Sequence, residues 1–157
     1  MKGRRIAIGS GILAAVVPAL SAVPAPAASS PAGTFVNPLV LDGADPFIVY
    51  REGSYYFLST ASTCIRITRA STLAGLSRAR PRTVWTPPPK GPNSSQIWAP
   101  ELHHIRGKWY LYYTATTGDG NDGNRRCWAL EAVTADPLGP YRDRGKVYDP
   151  RHNYYAI

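Results

Sequence analysis

The sequence predicts an all-β fold assembled from a repeated unit, and three observations carry that prediction. β-branched and aromatic residues fall in short runs broken by Gly, Pro, Asn and Asp, the pattern of strands and turns. Helix signals are poor, because 15 Pro and 14 Gly interrupt the chain and no long apolar series recurs at a period of 3.6. The third observation is a gapless internal repeat at an offset of 54 residues.

The first copy runs from Asp45 to Thr60 and the second from Ala99 to Thr114. Pro46 aligns with Pro100, Gly53 with Gly107, Tyr56 with Tyr110 and Thr60 with Thr114. Each copy reads as strand, tight turn, strand. The turns are Arg51-Glu52-Gly53-Ser54 and Ile105-Arg106-Gly107-Lys108, where Gly supplies the positive φ a hairpin demands. A third strand is expected at about Cys64 to Arg69 in copy one and Cys127 to Val133 in copy two. Copy two also carries an extra loop from Gly118 to Asn124. Units of this length with three or four strands suit the blades of a β-propeller. Blades bury their faces only against neighbours, so two are too few for a stable closed body.

The termini lie outside this repeat. Lys2, Arg4 and Arg5 precede an apolar stretch from Ile6 to about Val23, and Ala25-Pro26-Ala27 offers the small residues a signal peptidase reads. Residues 1–28 are therefore expected to be a secretory signal peptide and 29–34 a linker. Pro18 and the Pro/Ala/Ser segment that follows argue against a membrane anchor. At the other end the chain stops at Ile157 inside a strand-like run, Tyr154-Tyr155-Ala156-Ile157, which suggests continuation. Residues 35–157 are thus expected to form two blades and the start of a third.

Formal charge is +8, of which three positives belong to the leader. The other basic residues are scattered, and neither a basic stripe nor a recognition motif argues for nucleic acid. A basic surface could also hold an enzyme near anionic cell-wall material. Export permits a disulfide between Cys64 and Cys127, which occupy corresponding places in the two copies; two unpaired thiols are the alternative.

Asp45 is the first candidate for chemistry. It opens the innermost strand of blade one, where side chains line the central channel. Pro46 is expected to hold it extended. A carboxylate so placed can act as general base toward water, or it can cap a turn. Trp98 and Glu101 flank Ala99, the counterpart of Asp45. Trp98 suits a sugar-stacking platform or inter-blade packing; Glu101 suits the channel or a tie to backbone. His103 and His104 are adjacent on a strand and point to opposite faces, which reads as one core and one surface His. The Gly118–Asn124 loop lacks the spacing of a calcium loop and reads as a flexible surface loop at the rim. No metal site is expected in this segment.

These residues resemble glycoside hydrolase family 43, in particular its secreted exo-acting α-L-arabinofuranosidases. The resemblance rests on Asn37 to Pro46, on Gln96-Ile97-Trp98-Ala99-Pro100-Glu101-Leu102 with Gly107-Lys108-Trp109-Tyr110, and on Ala135 to Tyr141. It implies a five-bladed propeller that hydrolyses glycosides with inversion, using three acidic residues. Asp45 matches the general base. The carboxylate that tunes the acid usually follows a motif like Tyr155-Ala156-Ile157, and the general acid lies on a later blade, so this segment alone is expected to be inactive. The implied substrates are terminal α-L-arabinofuranosyl groups of plant arabinan or arabinoxylan, acted on by a secreted monomer. β-Xylosidase or endo-arabinanase specificity, and a non-catalytic sugar-binding propeller, are the alternatives. No cofactor is implied, although a structural calcium in the complete propeller is allowed for.

Overall fold

A computed structural model describes residues 37–147 and Arg151. The proposed leader, the linker and the Tyr154–Ile157 run lie outside the described residues. Among the described residues, eight strands form two four-stranded antiparallel sheets, each a simple meander. The first contains β1 (Phe47–Arg51), β2 (Ser54–Leu58), β3 (Ile65–Ala70) and β4 (Arg82–Trp85). The second contains β5 (Ser95–Ile105), β6 (Lys108–Thr116), β7 (Arg126–Ala132) and β8 (Tyr141–Lys146). The two third strands lie within a residue of their expected places. A one-turn helix, α1 (Leu73–Leu76), was not expected; Thr72 caps it by accepting from the Gly75 N–H at 3.0 Å.

The hairpins follow from their turns. Glu52 and Gly53 have φ of 49° and 75°, and Arg106 and Gly107 have φ of 50° and 82°. Two successive positive φ values are those of a type I′ turn, whose twist matches that of the strands it joins. The register is then fixed from Arg51↔Ser54 outward in the first hairpin and from Ile105↔Lys108 in the second. Glycine was anticipated at the second position of each turn. The strained position before it, held by Glu52 and Arg106, was not.

The sheets pack face to face through alternate residues. Tyr56, Leu58, Ile65 and Ile67 of the first sheet share one buried cluster with Ile97, Leu102, Trp109, Leu111, Tyr113, Trp128 and Leu130 of the second. Each fully buried Leu or Ile contributes about 1.5–3 kcal/mol. Rings cross the interface at 5.7 Å for Tyr56–Trp109 and 4.9 Å for Trp85–Tyr113. The buried Tyr113 hydroxyl accepts from Asn93 Nδ2 at 3.1 Å, and burial pushes that phenol well above its ordinary range. A two-way backbone bridge between Ser62 and Ile97 stitches the sheets together.

The same alternation separates the cysteines. Trp128, Leu130 and Ala132 face the shared core, so Cys127 lies on the far face of its sheet. Cys64 lies just ahead of core-facing Ile65, outside the strand. Both are free, half-buried thiols, the second of the two alternatives the sequence allowed. Burial, with the Glu101 charge adding, pushes the Cys127 thiol above its ordinary range.

On an exposed edge Lys108 Nζ donates to Glu131 Oε1 at 2.6 Å, and Arg144 Nε lies 3.4 Å from Oε2. The Lys108 hydrogen bond holds Glu131 below the usual carboxylate range. A carboxyl lowered on folding stabilises the fold above that range and loses the contribution as pH falls through its folded value. Glu131→Gln should therefore lower the Tm near neutral pH, and the gap from wild type should narrow as pH falls below the usual carboxylate range. Thermal melts across that range check this. Relieving the strained turn should act in the other direction: Arg106→Asn should stabilise by about 1 kcal/mol in urea unfolding, since Asn tolerates a left-handed φ better than Arg.

Candidate active site

The site is built where the first strands of the two sheets, β1 and β5, come together. β1 packs beside β5, and Asp45, just ahead of β1, has the same positive φ as Ala99, within β5. Asp45 has φ of 52° and Ala99, its repeat counterpart, φ of 45°. The expected extended conformation of Asp45 is thus incorrect. Proline disfavours the right-handed region for the preceding residue, but the chain meets that restriction here with a positive φ. Asp tolerates such a conformation through local hydrogen bonding.

The Asp45 carboxylate is held by Thr60, just past the end of the hairpin. Thr60 Oγ1 donates to Asp45 Oδ2 at 2.6 Å. The Thr60 N–H donates to the Ala44 carbonyl at 2.9 Å. The Ala99 N–H, from the second sheet, donates to Thr60 Oγ1 at 2.7 Å. One hydroxyl therefore joins the candidate base ahead of β1 to the backbone of β5. Asp45 itself is exposed.

Trp98 sits between two irregularities of β5, where pairing with β6 shifts on either side of it. Bulges of this kind re-aim a side chain. Trp98 is half-buried, and the Arg125 guanidinium stacks 3.5 Å from its ring centroid. Arg125 is fully buried. Its Nη1 donates to the Gln96 carbonyl at 3.0 Å and to Thr114 Oγ1 at 3.4 Å. Its Nη2 donates to Gln96 Oε1 and Asp122 Oδ1, both at 2.9 Å. Cation–π contact and charge-assisted bonds offset the cost of burying the charge.

Arg125 is delivered by the Gly118–Asn124 loop. The loop is solvent-facing, as expected, but it is internally tied. Asp119 Oδ1 accepts from the Asn121 N–H at 2.9 Å and Oδ2 from Asn124 Nδ2 at 2.7 Å, and a 3-10 turn spans Asp122–Asn124. These bonds hold Asp119 below the usual carboxylate range. The loop's carboxylates are committed to backbone, amide and guanidinium partners, a poor fit to calcium, and no cluster of three or more metal-ligating side chains occurs among the described residues.

Glu101 and His103 share one face of β5 and bond to each other at 2.9 Å, with Glu101 half exposed. The bond of Glu101 is thus to a side chain. His103 packs on Phe47 and Tyr112, whereas His104 packs edge-on to Trp109. They occupy opposite sides, but both are half-buried, so neither is a core residue. The structure brings Asp45 close to the Trp98–Ala99 backbone; Glu101 follows further along β5. Thr60 and Arg125 were missed. For Thr60 a signal existed, because the repeat aligns it with Thr114, and both threonine hydroxyls accept bonds within this site.

Residues 35–157 match the sequence profile of the glycosyl hydrolases of family 43. The chain belongs to that family. Among family 43 relatives, an extracellular exo-α-(1→5)-L-arabinofuranosidase of Streptomyces chartreusis is 42% identical over 139 residues, covering 85% of this chain and 42% of the relative. An enzyme of the same name from Streptomyces avermitilis is 38% identical, covering 96% of this chain and 32% of the relative. The crystal structure of an α-L-arabinofuranosidase from Lactobacillus brevis aligns with a TM-score of 0.71 at 37% identity, covering 78% of this chain and 41% of that one. The family 43 segment described here thus spans less than half the length of these relatives.

Arg125→Lys tests the support behind Trp98. Lysine keeps the charge but loses the planar stack and the fork to Gln96 and Asp122. The variant should lose about 1.5–3 kcal/mol of stability in denaturant unfolding.

Proposed function

We propose that this chain forms the first two blades of a secreted, five-bladed α-L-arabinofuranosidase that hydrolyses terminal arabinofuranosyl groups of arabinan or arabinoxylan with inversion. Asp45 is the general base. The observation that carries this reading is the tethering of Asp45 at the head of an inner strand, one hydroxyl away from the backbone that follows Trp98. The names of the relatives support the choice of sugar, and the word extracellular in two of them supports export.

In the proposed reaction a water oxygen bonds to the anomeric carbon as the bond to the leaving oxygen breaks. Asp45 takes the proton from that water. A carboxylic acid on a later blade gives its proton to the leaving oxygen, at the ~6.5–9.5 Å separation that admits a water. Trp98, backed by Arg125, offers an aromatic surface to the sugar's C–H face, and Glu101 with His103 offers polar partners near it. These proton transfers need no metal or cofactor, and the enzyme works as a monomer.

Asp45→Asn in the full-length enzyme is the test. Turnover of an aryl α-L-arabinofuranoside and of arabino-oligosaccharides should fall by about 10²–10⁴-fold, while calorimetry still detects oligosaccharide binding. Turnover at the wild-type rate would overturn the reading. A sugar-binding module without catalysis would show no turnover to lose and would bind equally well with either residue.

A further inference from the structure

We propose that Thr60 is a positioning residue for the reaction: it ties Oδ2 of Asp45 and thereby assigns proton abstraction to Oδ1. This rests on the reading of Asp45 as the base.

The assignment follows from how many bonds a hydroxyl can make. Thr60 Oγ1 has one hydrogen and two lone pairs. The Ala99 N–H can only donate, so at 2.7 Å it takes a lone pair of Thr60. A carboxylate can only accept, so at 2.6 Å Asp45 Oδ2 takes the single hydroxyl hydrogen. The direction of the chain is therefore fixed: amide to hydroxyl to carboxylate. The bond to the carboxylate is short, as O–H bonds to a carboxylate are. Among the described residues Oδ2 carries this bond and Oδ1 accepts none.

Both ends of the chain are constrained. The Thr60 N–H holds the Ala44 carbonyl, so the residue is pinned to Asp45 through backbone as well as side chain. Ala99 adopts a φ of 45°, strained for a residue without glycine's freedom. Its N–H is the one that meets Thr60. Strain held at such a place is compatible with a site that needs one geometry. With Oδ2 tied, the carboxylate plane cannot turn freely, and Oδ1 is the oxygen presented to water. The water's oxygen bonds to the anomeric carbon, its proton passes to Oδ1, and the leaving oxygen is protonated by the acid of the later blade.

The test compares Thr60→Val, Thr60→Ser and Asp45→Asn in the full-length enzyme, with near-UV circular dichroism to verify the fold. Thr60→Val should lower kcat by about 10–10²-fold, since a misplaced reacting group costs that much, with KM changed less than about twofold. Thr60→Ser keeps the hydroxyl and should stay within about threefold of wild type in kcat. Should the Val variant not fold, Thr60→Ala carries the same expectation. Wild-type kcat without the hydroxyl, a loss confined to KM or Tm, or a Ser variant as impaired as Val would overturn the role of Thr60. If Thr60→Val keeps kcat while Asp45→Asn is inactive, only this inference falls. If Asp45→Asn turns over normally, the assignment of the base itself falls.

Discussion

The apolar face that the two sheets share is the constraint on which the rest depends. A four-stranded meander has one face that must be covered, and here each sheet covers the other. Tyr56 and Ile67 on one side and Trp109 and Leu111 on the other are all buried in one cluster. That packing sets β1 beside β5, and the Ser62–Ile97 bridge fixes how far one can slide along the other. The start of β1 and the irregular part of β5 then meet, which is why Thr60 on the first sheet can reach a backbone amide on the second. The site is a product of sheet packing and not of any one hairpin.

Much of this was legible in the sequence, because the fold is repetitive. A gapless offset of 54 residues predicted both hairpins and their turns. It also predicted that Asp45 and Ala99 occupy equivalent places, and their φ values agree to within a few degrees. The conformation itself was misread, since the rule for residues before proline considers only the local chain. The bond from Thr60, 15 residues away, accompanies a different outcome. The one-turn helix at Leu73 is too short to leave a periodic signal. The cysteines illustrate another limit. Corresponding places in two repeats do not bring two side chains together: Cys127 lies on the far face of its sheet, and both thiols stay free.

Arg125 was illegible for a different reason. It sits beside Arg126 after a polar, Gly-rich loop, a context that reads as solvent-facing. Its burial is decided by partners scattered along the chain: Gln96, Trp98 and Thr114. The irregularities of β5 that look like defects of pairing are what free the Gln96 carbonyl for the guanidinium. The loop thus acts as a strut behind the indole. Its one exposed ionic partner, Asp122, remains largely solvated, so most of the compensation for the buried charge comes from neutral groups and the ring.

The contact between Thr60 and Ala99 bears on how these proteins can be recombined. A chimera cut between the first and second repeats would transfer the aspartate together with its threonine, yet leave the anchoring amide to the recipient. Such a hybrid could fold, bind sugar and still work poorly, because the spacing of residues 61 to 98 sets whether that amide arrives. Crossover points placed after Pro100 would move the whole tether as one piece.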